Sequence, residues 1–169
     1  TKIGDGAFGF CVNLSSVVIS EQVNTIGMIP FVGCYQLTSM VVDEGNTIFD
    51  SRESCNALIY TASDSLISGC RNSTIPESVI KIGNYAFSDC YSLCDVLLES
   101  KPALANTNAF SGLPTNYRIY VPRSYLSWFE TATNWSSIYT AQHIVVIEDY
   151  INYLDSLGFD VDKYKEVTA

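Results

Sequence analysis

Apolar positions along the chain fall into a long period. Phe8 and Phe31 stand 23 residues apart, and so do Phe87 and Phe110. Around these four anchors the same offsets recur. Five residues before the anchor come Ile3, Ile26 and Ile82, each followed by glycine (Gly4, Gly27, Gly83). Immediately before it stand Ala7, Pro30, Ala86 and Ala109, and three after it Cys11, Cys34, Cys90 and Leu113. Six after it come Leu14, Leu37 and Leu93, with Asn116 departing. Nine and eleven after it stand Val17 and Ile19, Met40 and Val42, Val96 and Leu98, Ile119 and Val121. Coincidence does not align so many columns over four copies; an internal repeat of this period marks a stacked architecture.

Each unit predicts its own local structure. The Leu-x-x-Val-x-Ile stretch ends in strict alternation, the signature of a strand with one buried face. Glycine after isoleucine suits a tight bend in which a positive φ costs nothing. The Ala-Phe-x-x-Cys segment has the spacing of a short helical or 3₁₀ corner. One unit cannot bury its apolar face alone, so the units must stack and share an interior. The predicted fold is a β-dominated α/β repeat, a stacked solenoid with short helical or 3₁₀ corners and a C-terminal cap.

Between Phe31 and Phe87 the period breaks. Residues 47–79 read as one enlarged coil, in which Leu58-Ile59-Tyr60 and Leu66-Ile67 form two short strands around the turn Ala62-Ser63-Asp64-Ser65. About five coils are expected over residues 1–140. After the strand Tyr117–Val121, residues 123–140 carry Tyr125, Leu126, Trp128, Phe129, Trp135 and Tyr139 and read as a cap; an aromatic ligand patch is the competing reading. Residues 141–169 read as an extension or linker, with a strand at Ile144–Ile147, a helix from Glu148 ending at Gly158, and a frayed terminus.

The units Ile-Gly-Asp-Gly-Ala-Phe-Gly-Phe-Cys-Val-Asn-Leu at 3–14 and Ile-Gly-Asn-Tyr-Ala-Phe-Ser-Asp-Cys-Tyr-Ser-Leu at 82–93 resemble the BspA-type leucine-rich repeats of bacterial surface proteins and some parasitic protists. Asn56-Ala57-Leu58-Ile59 and Ile75-Pro76-Glu77-Ser78-Val79 resemble the irregular coils of gut-bacterial members. The resemblance covers roughly residues 1–140. It implies a right-handed, horseshoe-like leucine-rich-repeat solenoid serving as a cell-surface or secreted module for adhesion or protein interaction, and supplies no catalytic residues.

Composition narrows the chemistry. Charged residues make up 16% of the chain and its net charge is −9, with nine scattered Lys and Arg, so nucleic acid and anionic membranes are not expected partners. No run of about 18 apolar residues spans a bilayer. Six cysteines lack Cys-x-x-Cys spacing and have no histidine nearby. Cys11, Cys34 and Cys90 share one column and are expected to point inward as small hydrophobes. The single histidine, His143, lacks partners for a triad. Asp43 and Glu99 follow buried strand ends, but the enlarged coil is expected to hold them too far apart for paired-carboxylate chemistry. No catalytic residue, metal or cofactor is predicted.

Binding is instead expected on the outward residues of the repeat strands. There Val18, Val41, Leu97 and Tyr120 form an apolar row where water should be, flanked by Asp43, Asp95, Glu99 and Arg118. β-propensity alone accounts for such a row equally well. A protein or glycan partner on this face is the leading expectation, a structural spacer displaying another domain the alternative.

Overall fold

The structure, a computed structural model, describes residues 1–158 and Val161. In chain order the strands are β1 (Lys2–Ile3), β2 (Ser16–Ile19), β3 (Thr25–Ile26), β4 (Ser39–Val42), β5 (Phe49–Asp50), β6 (Ala57–Tyr60), β7 (Ser65–Gly69), β8 (Lys81–Ile82), β9 (Asp95–Leu97), β10 (Ala103–Leu104), β11 (Arg118–Val121) and β12 (Ile144–Val146). Helices α1 (Leu126–Thr131), α2 (Trp135–Thr140) and α3 (Ile147–Ser156) close the described chain.

The repeat columns stack like on like. β2 pairs parallel with β4, Val17 beside Met40 and Ile19 beside Val42. β9 pairs parallel with β11, Val96 beside Ile119, and Ile75 bridges Leu98. A second side of the coils carries β1 beside β3, and β8 beside β10. A third set of bonds runs through the corners. The N–H groups of Gly6, Phe8 and Phe10 donate to the carbonyls of Met28, Pro30 and Val32 at 2.9, 2.9 and 2.7 Å. The anchors stack as rings: Phe8 on Phe31 at 5.4 Å, and Phe87 on Phe110 at 5.8 Å, nearly parallel in both pairs. Stacking therefore satisfies backbone polar groups and buries the apolar column in one arrangement.

Glycine after isoleucine has a different reason from the expected one. None of Gly4, Gly27 and Gly83 has a positive φ. A Cβ on Gly83 would lie 2.9 Å from the Leu66 carbonyl oxygen, and one on Gly27 2.5 Å from the Asp5 backbone nitrogen. These glycines let successive coils approach. Left-handed backbone falls instead two residues either side of the anchor: Gly6, Ile29 and Tyr85 before it, and Phe10, Gly33, Asp89 and Gly112 after it. The corners at Phe8, Phe31 and Phe87 are plain turns, and Thr107–Phe110 forms a 3₁₀ helix.

The enlarged coil contains the expected hairpin: β6 pairs antiparallel with β7, and β5 with β6. It also fills a gap in the strand ladder between β4 and Ile75. The Ser51 hydroxyl accepts the Val42 N–H at 2.9 Å, and the Cys55 carbonyl accepts the Thr74 N–H at 2.9 Å. Loop 51–56 thus plugs the place where a repeat strand is missing. Arg52 pins it through ion pairs with Asp50 and Asp64, each 2.6 Å. Buried Asn46 ties this region to the coil before it, donating to the Ser20 and Val23 carbonyls and accepting from Ile48 and Phe49.

Residues 123–140, read from sequence as a cap, continue the stack. Trp135 is fully buried, its ring 5.8 Å from Phe110, and its indole N–H donates to the Pro102 carbonyl at 2.7 Å. Trp135 occupies the anchor column, because β12 follows it at the usual offsets and pairs parallel with β11 (Ile144 beside Ile119, Val146 beside Val121). In the preceding coil Tyr117, not Asn116, is buried and takes the leucine place, its ring stacked on Phe110. The frayed terminus expected after Gly158 lies outside the described residues, apart from buried Val161.

Candidate functional site

The outward residues of the repeat strands do not share one environment. Val18 is 69% exposed and Val41 43%, whereas Leu97 and Tyr120 are half-buried. The cause is α3, which folds back over this face. Its Ile147 and Ile151 are buried and pack, with Leu154 and Val161, against Leu97 and Tyr120. The apolar residues lie four and three apart, so they fall on one side of the helix. Glu148 and Asp149 sit in its first turn, where negative charge suits the helix dipole. Glu148 accepts the Arg123 N–H through both carboxylate oxygens, and Asp149 pairs with the Arg123 guanidinium. That pair is 59% and 60% exposed, and such pairs contribute about 0–1 kcal/mol. Burying an isoleucine is worth about 1.5–3 kcal/mol, so the apolar face sets the docking of α3.

Between α3 and loop 51–56 the sheet floor opens into a groove of about 900 Å³. Leu97 and Tyr120 lie on its floor beside Ile75 and Pro76; Ile147, Tyr150 and Ile151 form one wall. Four carboxylates line it: Glu53, Glu77, Asp95 and Glu99. No lysine or arginine does. The Tyr120 ring packs on Tyr150 at 4.8 Å, and burial, followed by the nearby Asp95 carboxylate, pushes its hydroxyl well above the ordinary tyrosine range.

The structure thus brings together four of the eight residues expected to bind: Asp95, Leu97, Glu99 and Tyr120. Val41 and Asp43 line a separate, smaller cleft against loop 51–56, with Arg52 and Asn56. Val18 stays exposed at the other end of the face. Arg118 turns away and donates to the Tyr117 carbonyl at 2.9 Å. Asp43 and Glu99 open onto different clefts. The α3 wall and the plug residue Glu53 carry no repeat signal, so repeat reasoning did not find them.

The cysteine column divides. Cys34 is buried and Cys90 half-buried, but Cys11 is exposed, because in the described chain no coil stacks against its outer side. All six thiols are free. Burial pushes the Cys90 thiol up to about 12. Among the described residues no group of His, Cys, Asp and Glu is arranged to hold a metal ion. His143 stacks on Tyr117 at 3.8 Å, and its Nδ1 lies 3.1 Å from the Tyr117 carbonyl oxygen. That is a packing role in the last coil. No described helix is long and apolar enough to cross a membrane.

Comparison with known proteins agrees with this architecture. The family described as "BspA type Leucine rich repeat region (6 copies)" matches residues 1–67 and 66–157, the second match reaching through β12 and α3. Among curated proteins nothing matches. The crystal structure of the pneumococcal vaccine antigen PcpA is similar over 72% of this chain, with 21% identity and a TM-score of 0.53; the chain spans 33% of that protein. At that identity the likeness supports the repeat fold alone. With the family matching nearly end to end, the chain belongs to the BspA-type leucine-rich repeats.

Proposed function

We propose that this chain is a non-catalytic, surface-displayed or secreted repeat module that holds a protein or glycan partner in the groove between loop 51–56 and α3. The groove carries the reading: a concave site of about 900 Å³ with an apolar floor and a polar rim, the combination typical of binding sites. Both walls are irregular additions to an otherwise repetitive coil, so the site is local and not a property of every repeat. Membership in a family of largely bacterial surface proteins supports the location, and likeness to a pneumococcal antigen accords with it.

The test is a screen of the purified chain against extracellular-protein and glycan arrays, beside the variant Thr74→Trp. Thr74 is exposed and lines the groove, so a larger side chain there fills it without entering the core. The reading predicts at least one specific ligand whose binding is lost in the folded variant. A ligand bound equally by both chains would place the site elsewhere, and the absence of any ligand would favour a structural spacer.

A further inference from the structure

Strand β9 presents Asp95 and Leu97 to the groove, and Glu99, in the bend just past the strand, lines the same groove. Alternate residues of a strand share one face, so Asp95 and Leu97 point the same way, with Glu99 lining the groove beyond them. Glu77 and Glu53 add acidity on the side of loop 51–56. Among the described residues none of these four carboxylates is in an ion pair; the paired arginines, Arg52 and Arg123, are committed to Asp50, Asp64 and Asp149. The groove is thus an acidic channel with an apolar centre, on a chain whose net charge is already −9.

Resting on the groove as the binding site, we infer that its occupant is an extended cationic peptide segment with lysine or arginine at alternate inward positions either side of an apolar residue. An extended chain along β9 repeats the same two-residue spacing, so a cation and an apolar side chain meet Asp95 and Leu97, and a second cation reaches Glu99 just past the strand end. A neutral saccharide can donate hydroxyl hydrogen bonds to these carboxylates but adds no charge attraction, and an anionic one is repelled. Exposed carboxylates contribute modestly one by one, so selectivity comes from the set and weakens with salt.

Fluorescence anisotropy with the full chain tests this, using two labelled peptides of equal length. One repeats the core lysine–serine–leucine–serine–lysine; the other carries glutamate in place of lysine. The expected result at ~50 mM salt is at least about tenfold tighter binding of the lysine peptide, shrinking severalfold at ~500 mM. The double variant Glu77→Gln with Glu99→Gln, both exposed, narrows the preference to about threefold or less. Thr74→Trp abolishes binding. Equal affinity for both peptides, still lost in Thr74→Trp, overturns the cationic occupant and leaves the groove standing. Binding that survives Thr74→Trp overturns both. A neutral oligosaccharide that binds where the lysine peptide does not, or no binding by the lysine peptide at all, overturns the peptide inference alone, because the array screen with Thr74→Trp still tests the groove.

Discussion

Single positions show what stacking demands. Gly83 and Gly4 occupy the same repeat column, yet only Gly83 has a coil pressed against it. Gly83→Ala forces a Cβ to 2.9 Å from the Leu66 carbonyl oxygen and should cost about 1–3 kcal/mol, whereas nothing lies within 4 Å of a Cβ at Gly4. Gly4→Ala should stay within about 0.5 kcal/mol, and urea unfolding of the two variants measures the difference. Thiols provide a second test. Iodoacetamide at pH 8 should modify Cys11 and Cys94, both exposed, well before Cys34, Cys55 and Cys70. Burial raises the Cys90 thiol from 9.0 to about 12, so the unfolded chain loses this proton first. The native state then carries a proton that the unfolded state has released, and stability falls as pH rises from about 9 towards 12, by at most about 1.4 kcal/mol per pH unit. Cys90→Ala should flatten that fall in urea titrations. At this scale the sequence is a partial guide. It marks the Gly column but not its cause, since close approach to a neighbouring coil leaves no trace within one repeat. The left-handed positions at Ile29 and Tyr85 are hidden by side chains that rarely adopt that backbone.

Elements obey the stack even where their residues change. Trp135 fills the anchor column of a 25-residue step that no longer looks like its neighbours, and α1 and α2 replace the plain corner. A bicyclic ring in place of a phenyl, a longer step and the absence of Ile-Gly hide this coil from a pattern based on Phe. Strands β2, β4, β9 and β11 were legible because alternation and period agree there, and the β6–β7 hairpin because its apolar runs flank a polar turn. Trp135→Ala should cost about 3–5 kcal/mol in urea unfolding, the loss expected of a fully buried anchor. Phe8→Ala should cost far less, its ring being 36% exposed at the first coil. For α3, Ile151→Ala removes buried apolar area and should speed amide exchange in residues 147–156 by tenfold or more, about the effect of 1.4 kcal/mol. Arg123→Ala, which breaks only an exposed ion pair, should change it by less than about fivefold.

The molecule as a whole is a repeat stack whose two irregular parts flank an acidic groove. Loop 51–56 interrupts the ladder between β4 and Ile75, and α3 covers Leu97 and Tyr120; between them the strand face is concave, acidic and open. The outward apolar row read from the sequence therefore has two explanations, one for each half. Leu97 and Tyr120 seat a helix of the same chain, while Val18 and Val41 stay exposed. Spacing along a sequence places residues on a face but does not reveal what a distant segment lays over it, so half the groove was legible and its walls were not. Amide exchange of the chain alone and saturated with a ligand from the arrays is the most direct measurement. The account predicts added protection in peptides covering 73–78, 95–99 and 147–151, with residues 1–30 unchanged. Protection confined to the corners around Phe8 and Phe31, with the groove peptides unaltered, would contradict it.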